Sequence, residues 1–348
     1  MSGIVETVLG QVRSSELGRV LTHEHLALDF DKFYAPTPKL LQNLVSGHIN
    51  LANVGVIKQY PYGCKYNIRF NDDDSAAAVL EDVGFYKKSG GGTIVENTSH
   101  GIKRDIPLMR SVSEKTGVHV IAGTGHYVAL TQNDSVLKST EEQLYDVAMK
   151  ELTVGCDEDP SVKAGFIGEV GSSWPIEDFE KRAIRATARV QEQLKCPVSF
   201  HPGRDAAAPF EIMRIFTEAG GSATKAVMSH LDRTLLRDEE VLNFAELGSY
   251  LQYDLFGTEC SHYQLHESTD MPSDAQRLDK MLLIREDGRL DKLLMSHDIH
   301  TKHRLMNFGG HGYAHILNNV VPKMLIKGFT EQDIDAITIT NPKNWLSQ

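Results

Sequence analysis

No stretch of the chain is apolar for the eighteen or so residues that a membrane-spanning helix needs. Its start, MSGIVETVLGQVRSSELG, lacks the basic flank and apolar core of a secretory leader, so the cytoplasm is the expected location. Cysteine is scarce: Cys64, Cys156, Cys196 and Cys260 are far apart and form no CxxC pair, which argues against a zinc knuckle or a disulfide framework. An excess of positive charge is also missing. The net charge of −11 repels phosphate backbones and anionic lipid, so neither nucleic acid nor a membrane is an expected partner. No internal repeat, low-complexity tract or linker divides the sequence, and one domain over residues 1–348 is expected.

What is present is an alternation. Eight short apolar runs occur in order: 18–26, 92–98, 119–125, 164–171, 196–203, 225–232, 248–255 and 291–298. Runs that are apolar throughout suit parallel strands covered on both faces. Amphipathic stretches lie between them, such as SAAAVLEDVGFYKKSG, with Ser75 as its expected cap, and AAPFEIMRIFTEAGG, which ends at glycines. Eight strand-then-helix units predict an α/β fold, a (β/α)₈ TIM-type barrel. A doubly wound sheet would carry a glycine-rich phosphate turn after its first strand, where this sequence reads HEHLALD. The stretch from Leu28 to Asp74 is too long for an ordinary connection and predicts a flap over the barrel mouth after strand one. Near the end, Thr330 caps a predicted closing helix that should stop at Asn341-Pro342.

Chemistry gathers where such barrels place it, at the C-terminal ends of strands. His23 and His25 alternate along strand one and so share a face, while Glu24 points away. With 15 histidines in the chain, one HxH pair says little alone. The same address recurs, however, with Glu169 ending strand four, His201 strand five, His230 strand six and Asp298 strand eight. Nitrogen and oxygen ligands without thiolate suit zinc first, with manganese, cobalt or iron as alternatives. A catalytic ion usually keeps about three protein ligands and an open position, so this set predicts two divalent ions per chain. Such a pair activates water without a nucleophilic Ser or Cys, and hydrolysis is the expected reaction.

These residues resemble the amidohydrolase superfamily, and GRVLTHEHL, GTGHYV, HPGR, MSHLDR and NPKNWL resemble its phosphotriesterase branch. VENTS, FIGEVGSSWP, DLFGTE and SHDIHTKHRL are similar to animal members of that branch. The resemblance implies an amidohydrolase that cleaves the linear amide of N-acetyltaurine and of other N-acyl amino acids. It also implies that His23, His25 and Asp298 hold the more buried ion and His201 and His230 the more exposed one, with Glu169 bridging. A hydroxide shared by the ions would attack the acyl carbonyl, and Asp298 would carry its proton to the departing amine. Two departures weigh against phosphotriester or lactone hydrolysis. The bacterial enzymes bridge with a CO₂-modified lysine where Glu169 stands, and the bacterial lactonases place an arginine after strand seven, where this chain has Leu255.

A small anionic N-acyl substrate needs a cation, and Arg204, three residues past His201, is the first candidate. Tyr127 and His300 are further candidates for substrate binding, and Lys302 follows closely enough to join them. Glu96 and Asn97 are expected behind the ligands. His311 and His315, four apart on an expected helix, read as packing or surface groups. The alternatives are a metal-dependent esterase, lactonase or phosphotriesterase, and a catalytically silent metal-binding scaffold.

Overall fold

In the computed structural model, which describes residues 3–347, eight parallel strands follow one another around a nearly closed barrel. They are β1 (Arg19–Glu24), β2 (Gly91–Glu96), β3 (His119–Thr124), β4 (Phe166–Gly171), β5 (Val198–His201), β6 (Ala226–Met228), β7 (Tyr250–Tyr253) and β8 (Leu293–Met295). Each pairs in parallel with its neighbour in sequence. All eight predicted runs are strands. Their two faces are buried differently. Val20, Val95, Ile121, Phe166, Val227, Tyr250 and Leu294 form one apolar cluster inside the barrel with Trp345. Leu21, Ile94, Val120, Ile167, Val198, Met228, Leu251 and Leu293 belong to the larger cluster under the surrounding helices. Burial on both faces is why these runs are apolar without alternation.

The seam between β1 and β8 is closed by buried polar groups. Asp298 N donates to His23 O at 3.1 Å and Ser296 Oγ accepts from His23 N at 3.0 Å. Glu24, on the opposite face from its histidine neighbours, accepts from Ser296 Oγ at 2.7 Å, His297 N at 2.8 Å and Ile299 N at 3.0 Å. One carboxylate thereby fixes the main chain on both sides of Asp298.

Three local expectations are corrected. The first long helix, α1 (Asp73–Lys88), is capped by Asp72 and not by Ser75. Asp72 accepts from Ser75 N at 2.9 Å while Ser75 Oγ accepts from Asp72 N at 3.0 Å, so Ser75 is the inner half of a capping box. The closing helix is indeed capped by Thr330, but it does not stop at Asn341-Pro342. A π turn at Ala336–Thr340 widens the preceding backbone, and the helix resumes over Asn341–Leu346 with Pro342 in its first turn, where a missing N–H costs nothing. His311, lastly, precedes the helical segment and is not four along it from His315.

The predicted flap is present. A two-stranded ribbon, Leu28–Asp29 against Arg69–Phe70, draws its ends together. Between them lie short helical turns around a small core of Val45, Ile57 and Cys64. Phe30 and Tyr62 from this segment reach the barrel mouth. No helix among the described residues is long and apolar enough to cross a membrane.

Candidate active site

All six side chains expected as ligands meet at the C-terminal end of the barrel. Ligand atoms of His23, His25 and Asp298 lie within 4.8 Å of one another, and so do those of His23, Glu169 and His230. His25 Nε2 is 3.0 Å from Asp298 Oδ1. His201 Nδ1 is 2.9 Å from Glu169 Oε2 and 2.8 Å from His230 Nε2. Glu169 sits between the two halves. Its Oε1 faces His25 at 3.6 Å, and its Oε2 faces His201 and, at 3.5 Å, His230. His230 and Asp298 both adopt left-handed backbone, with φ of 57° and 53°. That conformation costs a non-glycine residue about 1–3 kcal/mol and turns each side chain back over the mouth just past its strand.

The imidazoles are held from behind. His23 Nδ1 lies 3.1 Å from Ser229 Oγ, His25 Nδ1 2.9 Å from Thr98 Oγ1 and His230 Nδ1 2.7 Å from Asp254 Oδ1. Each of these contacts leaves Nε2 directed at the centre. Thr98 Oγ1 donates in turn to Glu96 Oε1 at 2.6 Å, and Asn97 O accepts from Glu169 N at 3.1 Å. The expected supporting roles of Glu96 and Asn97 are thus met by geometry. Asp254 went unassigned in the sequence reading, although it ends β7 as the other donors end their strands.

These residues fit divalent ions. His23 Nε2 is buried without a hydrogen-bond partner, yet it lies 3.6 Å from Glu169 Oε2 and 3.7 Å from Asp298 Oδ1. Burial drives the His23 imidazole down to about 3, and burial also holds His201 and His230 well below the ordinary histidine value. Neutral imidazoles with a lone pair turned inward are what a metal ion requires. Burial, with the charges of Asp298 and Asp254 beside it, pushes the Glu169 carboxyl well above the usual range, a cost that a bound cation offsets. A third cluster of Glu151, Cys156 and Glu158 is different. There Arg104 already pairs with both carboxylates at 2.7 Å.

The phosphotriesterase family profile matches residues 3–346. This chain belongs to the phosphotriesterase family. It is 53% identical over 344 residues to the phosphotriesterase-related protein of Drosophila pseudoobscura pseudoobscura, covering 99% of this chain and 98% of that one. The corresponding protein of Aedes aegypti is 54% identical over 349 residues, covering 98% of each chain. Among solved structures, a resiniferatoxin-binding protein from Rhodobacter sphaeroides superposes with a TM-score of 0.94 at 28% identity, over 99% of this chain and 95% of that one. The Escherichia coli phosphotriesterase homology protein, with phosphate in its active site, shares the fold at a TM-score of 0.77 and 24% identity, over 95% of this chain and 99% of that one. The phosphotriesterase family comprises metal-dependent hydrolases of the binuclear type, and the donor set described above accords with that membership.

On the substrate side of this phosphotriesterase-family site, Arg204, Tyr127 and His300 all line the pocket above the donors. Arg204 Nε donates to the Tyr263 hydroxyl at 2.9 Å and makes no pair with neighbouring Asp205. The Tyr127 hydroxyl lies 3.3 Å from His201 Nδ1, and burial first, then the Glu169 charge, raises it well above the ordinary tyrosine value. His300 Nδ1 accepts no proton-bearing partner but faces Asp298 O at 2.7 Å, so that nitrogen carries the proton; its Nε2 then accepts from the Tyr62 hydroxyl at 2.9 Å. Lys302 is directed elsewhere: it pairs with Asp72 and lies over the Tyr66 ring. His315 is a packing group, bonded to Asp274 at 2.7 Å. Sequence reasoning missed Arg233, which lines the same pocket. The signal was available, because Arg233 follows His230 by three residues, as Arg204 follows His201.

Proposed function

We propose that the chain is a zinc-dependent amide hydrolase that cleaves N-acetyltaurine and related N-acyl amino acids. One observation carries the reading: the guanidinium of Arg204 lines the same pocket as five of the six converging metal donors, so an anchor for an acidic tail stands beside the place of reaction. Two divalent ions bound there would supply an activated water and polarise the acyl oxygen. The residues of the chain do the rest. Asp298 Oδ1 faces His25 Nε2 at 3.0 Å, and its Oδ2 faces the protonated Nδ1 of His300 at 3.3 Å. In this reading Asp298 takes a proton at Oδ2, on the side of His300. It returns that proton to the departing amine, which is a very poor leaving group without one. Tyr127 stays protonated and donates to the substrate, while Phe30 and Tyr62 of the flap keep bulk water out. Glutamate at position 169 and Leu255 after β7 favour this reading over phosphotriester or lactone hydrolysis.

The test is a panel assay of purified, metal-replete protein against N-acyl taurines, N-acyl amino acids, a neutral aryl ester and a lactone, with metal identity determined by mass spectrometry. N-acetylated anionic amines should be the best substrates. Faster turnover of the ester or lactone would overturn the assignment.

A further inference from the structure

The arginines of the interior differ in what they face, and Arg304 gives its Nη groups to the main-chain oxygens of Asp298 and Phe256. Arg104 faces Glu151 and Glu158, and Arg277 faces Asp232 and Asp274, in each case within 3.0 Å. Arg204 and Arg233 pair with no carboxylate among the described residues, although both line the pocket above the metal donors. Arg233 is only 3% exposed. Its Nη2 donates to Pro202 O at 3.1 Å and to His201 Nε2 at 3.3 Å, and its Nη1 to Thr234 Oγ1 at 3.3 Å. Its Nε has no hydrogen-bond partner among the described residues, and neither do the two Nη groups of the partly buried Arg204. Charges buried this far from water are costly unless something neutralises them.

Among the described residues, the carboxylates that line this pocket are those of Glu169 and Asp298, and both, like Asp254 behind them, face the histidines of the donor cluster. Two divalent ions would outweigh them. Two guanidiniums would then face one pocket with free N–H groups and no counter-charge in a chain that is otherwise strongly acidic. Forked guanidinium donors match the oxygens of a carboxylate or sulfonate. We propose that Arg204 and Arg233 form a clamp for the oxyanion tail of the substrate, which makes Arg233 a specificity-determining residue of this site. The identity of the scissile bond rests on the amide-hydrolase reading; the anion clamp does not.

Two measurements on the metal-loaded enzyme test the clamp. In the first, propane-1-sulfonate, propionate and neutral 1-propanol are titrated calorimetrically into wild type, Arg233→Met and Arg233→Lys, with metal content measured for each. Loss of a charge-assisted pair should weaken sulfonate binding by about tenfold or more in Arg233→Met, with partial recovery in Arg233→Lys. In the second, kcat/KM for N-acetyltaurine is divided by that for N-acetylethanolamine, whose tail is neutral. That ratio should fall by a similar factor, through KM. Were Arg233 only orienting His201, both substrates would suffer alike, the ratio would hold and metal content would drop; that result, or unchanged sulfonate binding, overturns the clamp. Equal weak binding of all anions in wild type and variants would mark adventitious association and overturn it too. Should Arg233→Met fail to fold, Arg204→Met must show the same losses. If wild type cleaves no amide, the amide reading falls while the sulfonate titration still decides the clamp.

Discussion

Glu169 touches both halves of the donor cluster, and its replacement is the most informative single change. Glu169→Gln keeps the shape of the side chain and removes the charge that lies between His25 and His201. Loss of at least one metal equivalent and most activity is expected, read by metal analysis beside kcat. A glutamate arrives with its carboxylate attached, whereas a bridging lysine must first acquire one from CO₂. Apo-protein given divalent metal in CO₂-depleted buffer should therefore regain full activity, and a bicarbonate requirement would contradict the bridge. On the substrate side, Arg204→Ala should raise KM for anionic N-acyl substrates by more than for a neutral amide of similar size, because only the anion loses a partner. Equal losses would make Arg204 structural. At this scale the donors were legible because four histidines and two carboxylates, all able to ligate a metal, repeat one address, the strand end. Arg233 and Asp254 were harder to see because arginine and aspartate at a loop start are common, and only the folded chain shows that Arg233 lines the pocket and that Asp254 holds His230 from behind.

Among the elements, the strands were readable because helices on one side and barrel interior on the other leave no polar face to interrupt them. The flap was visible as length alone. Its short turns bury only Val45, Ile57 and Cys64 as a core of their own, too few residues to impose a period on the sequence. The closing helix misled for a different reason. A proline ends a regular α-helix, but the π turn before it admits Pro342 at a fresh first turn, and such a turn leaves no composition signature. Asn341 is what holds this junction. Its Nδ2 donates to Leu290 O and Leu293 O, both at 2.8 Å, tying the helix to the start of β8. Asn341→Ala leaves these carbonyls without their donor and should cost about 1–3 kcal/mol in denaturant unfolding. No loss of stability would show that the contact is incidental.

Taken whole, the molecule combines a site built for ions with a separate buried ion pair built for the fold. Burial alone would raise the Glu151 carboxyl, but hydrogen bonds from His100 and Arg104, and their charges, reverse this and hold it well below the ordinary range. A depressed carboxyl contributes stability that is complete at neutral pH and drains away as acid first reaches the unfolded value, about 4.3, and then the folded one. Glu151→Gln should cost about 3 kcal/mol at pH 7, the low end for a broken buried pair because Arg104 keeps Glu158. Its deficit relative to wild type should shrink below about pH 4. A deficit that is the same at both pH values would assign the effect to packing.

The seam has a consequence for how the protein is made. His23 and His25 leave the ribosome early, yet the groups that hold the His23 main chain, Ser296 Oγ as acceptor and Asp298 N as donor, lie at the end of the last strand to be synthesised. A nascent chain that has completed β7 holds five of the six donors and no working centre. The full set of six donors therefore exists only once Asp298 has been added to the chain.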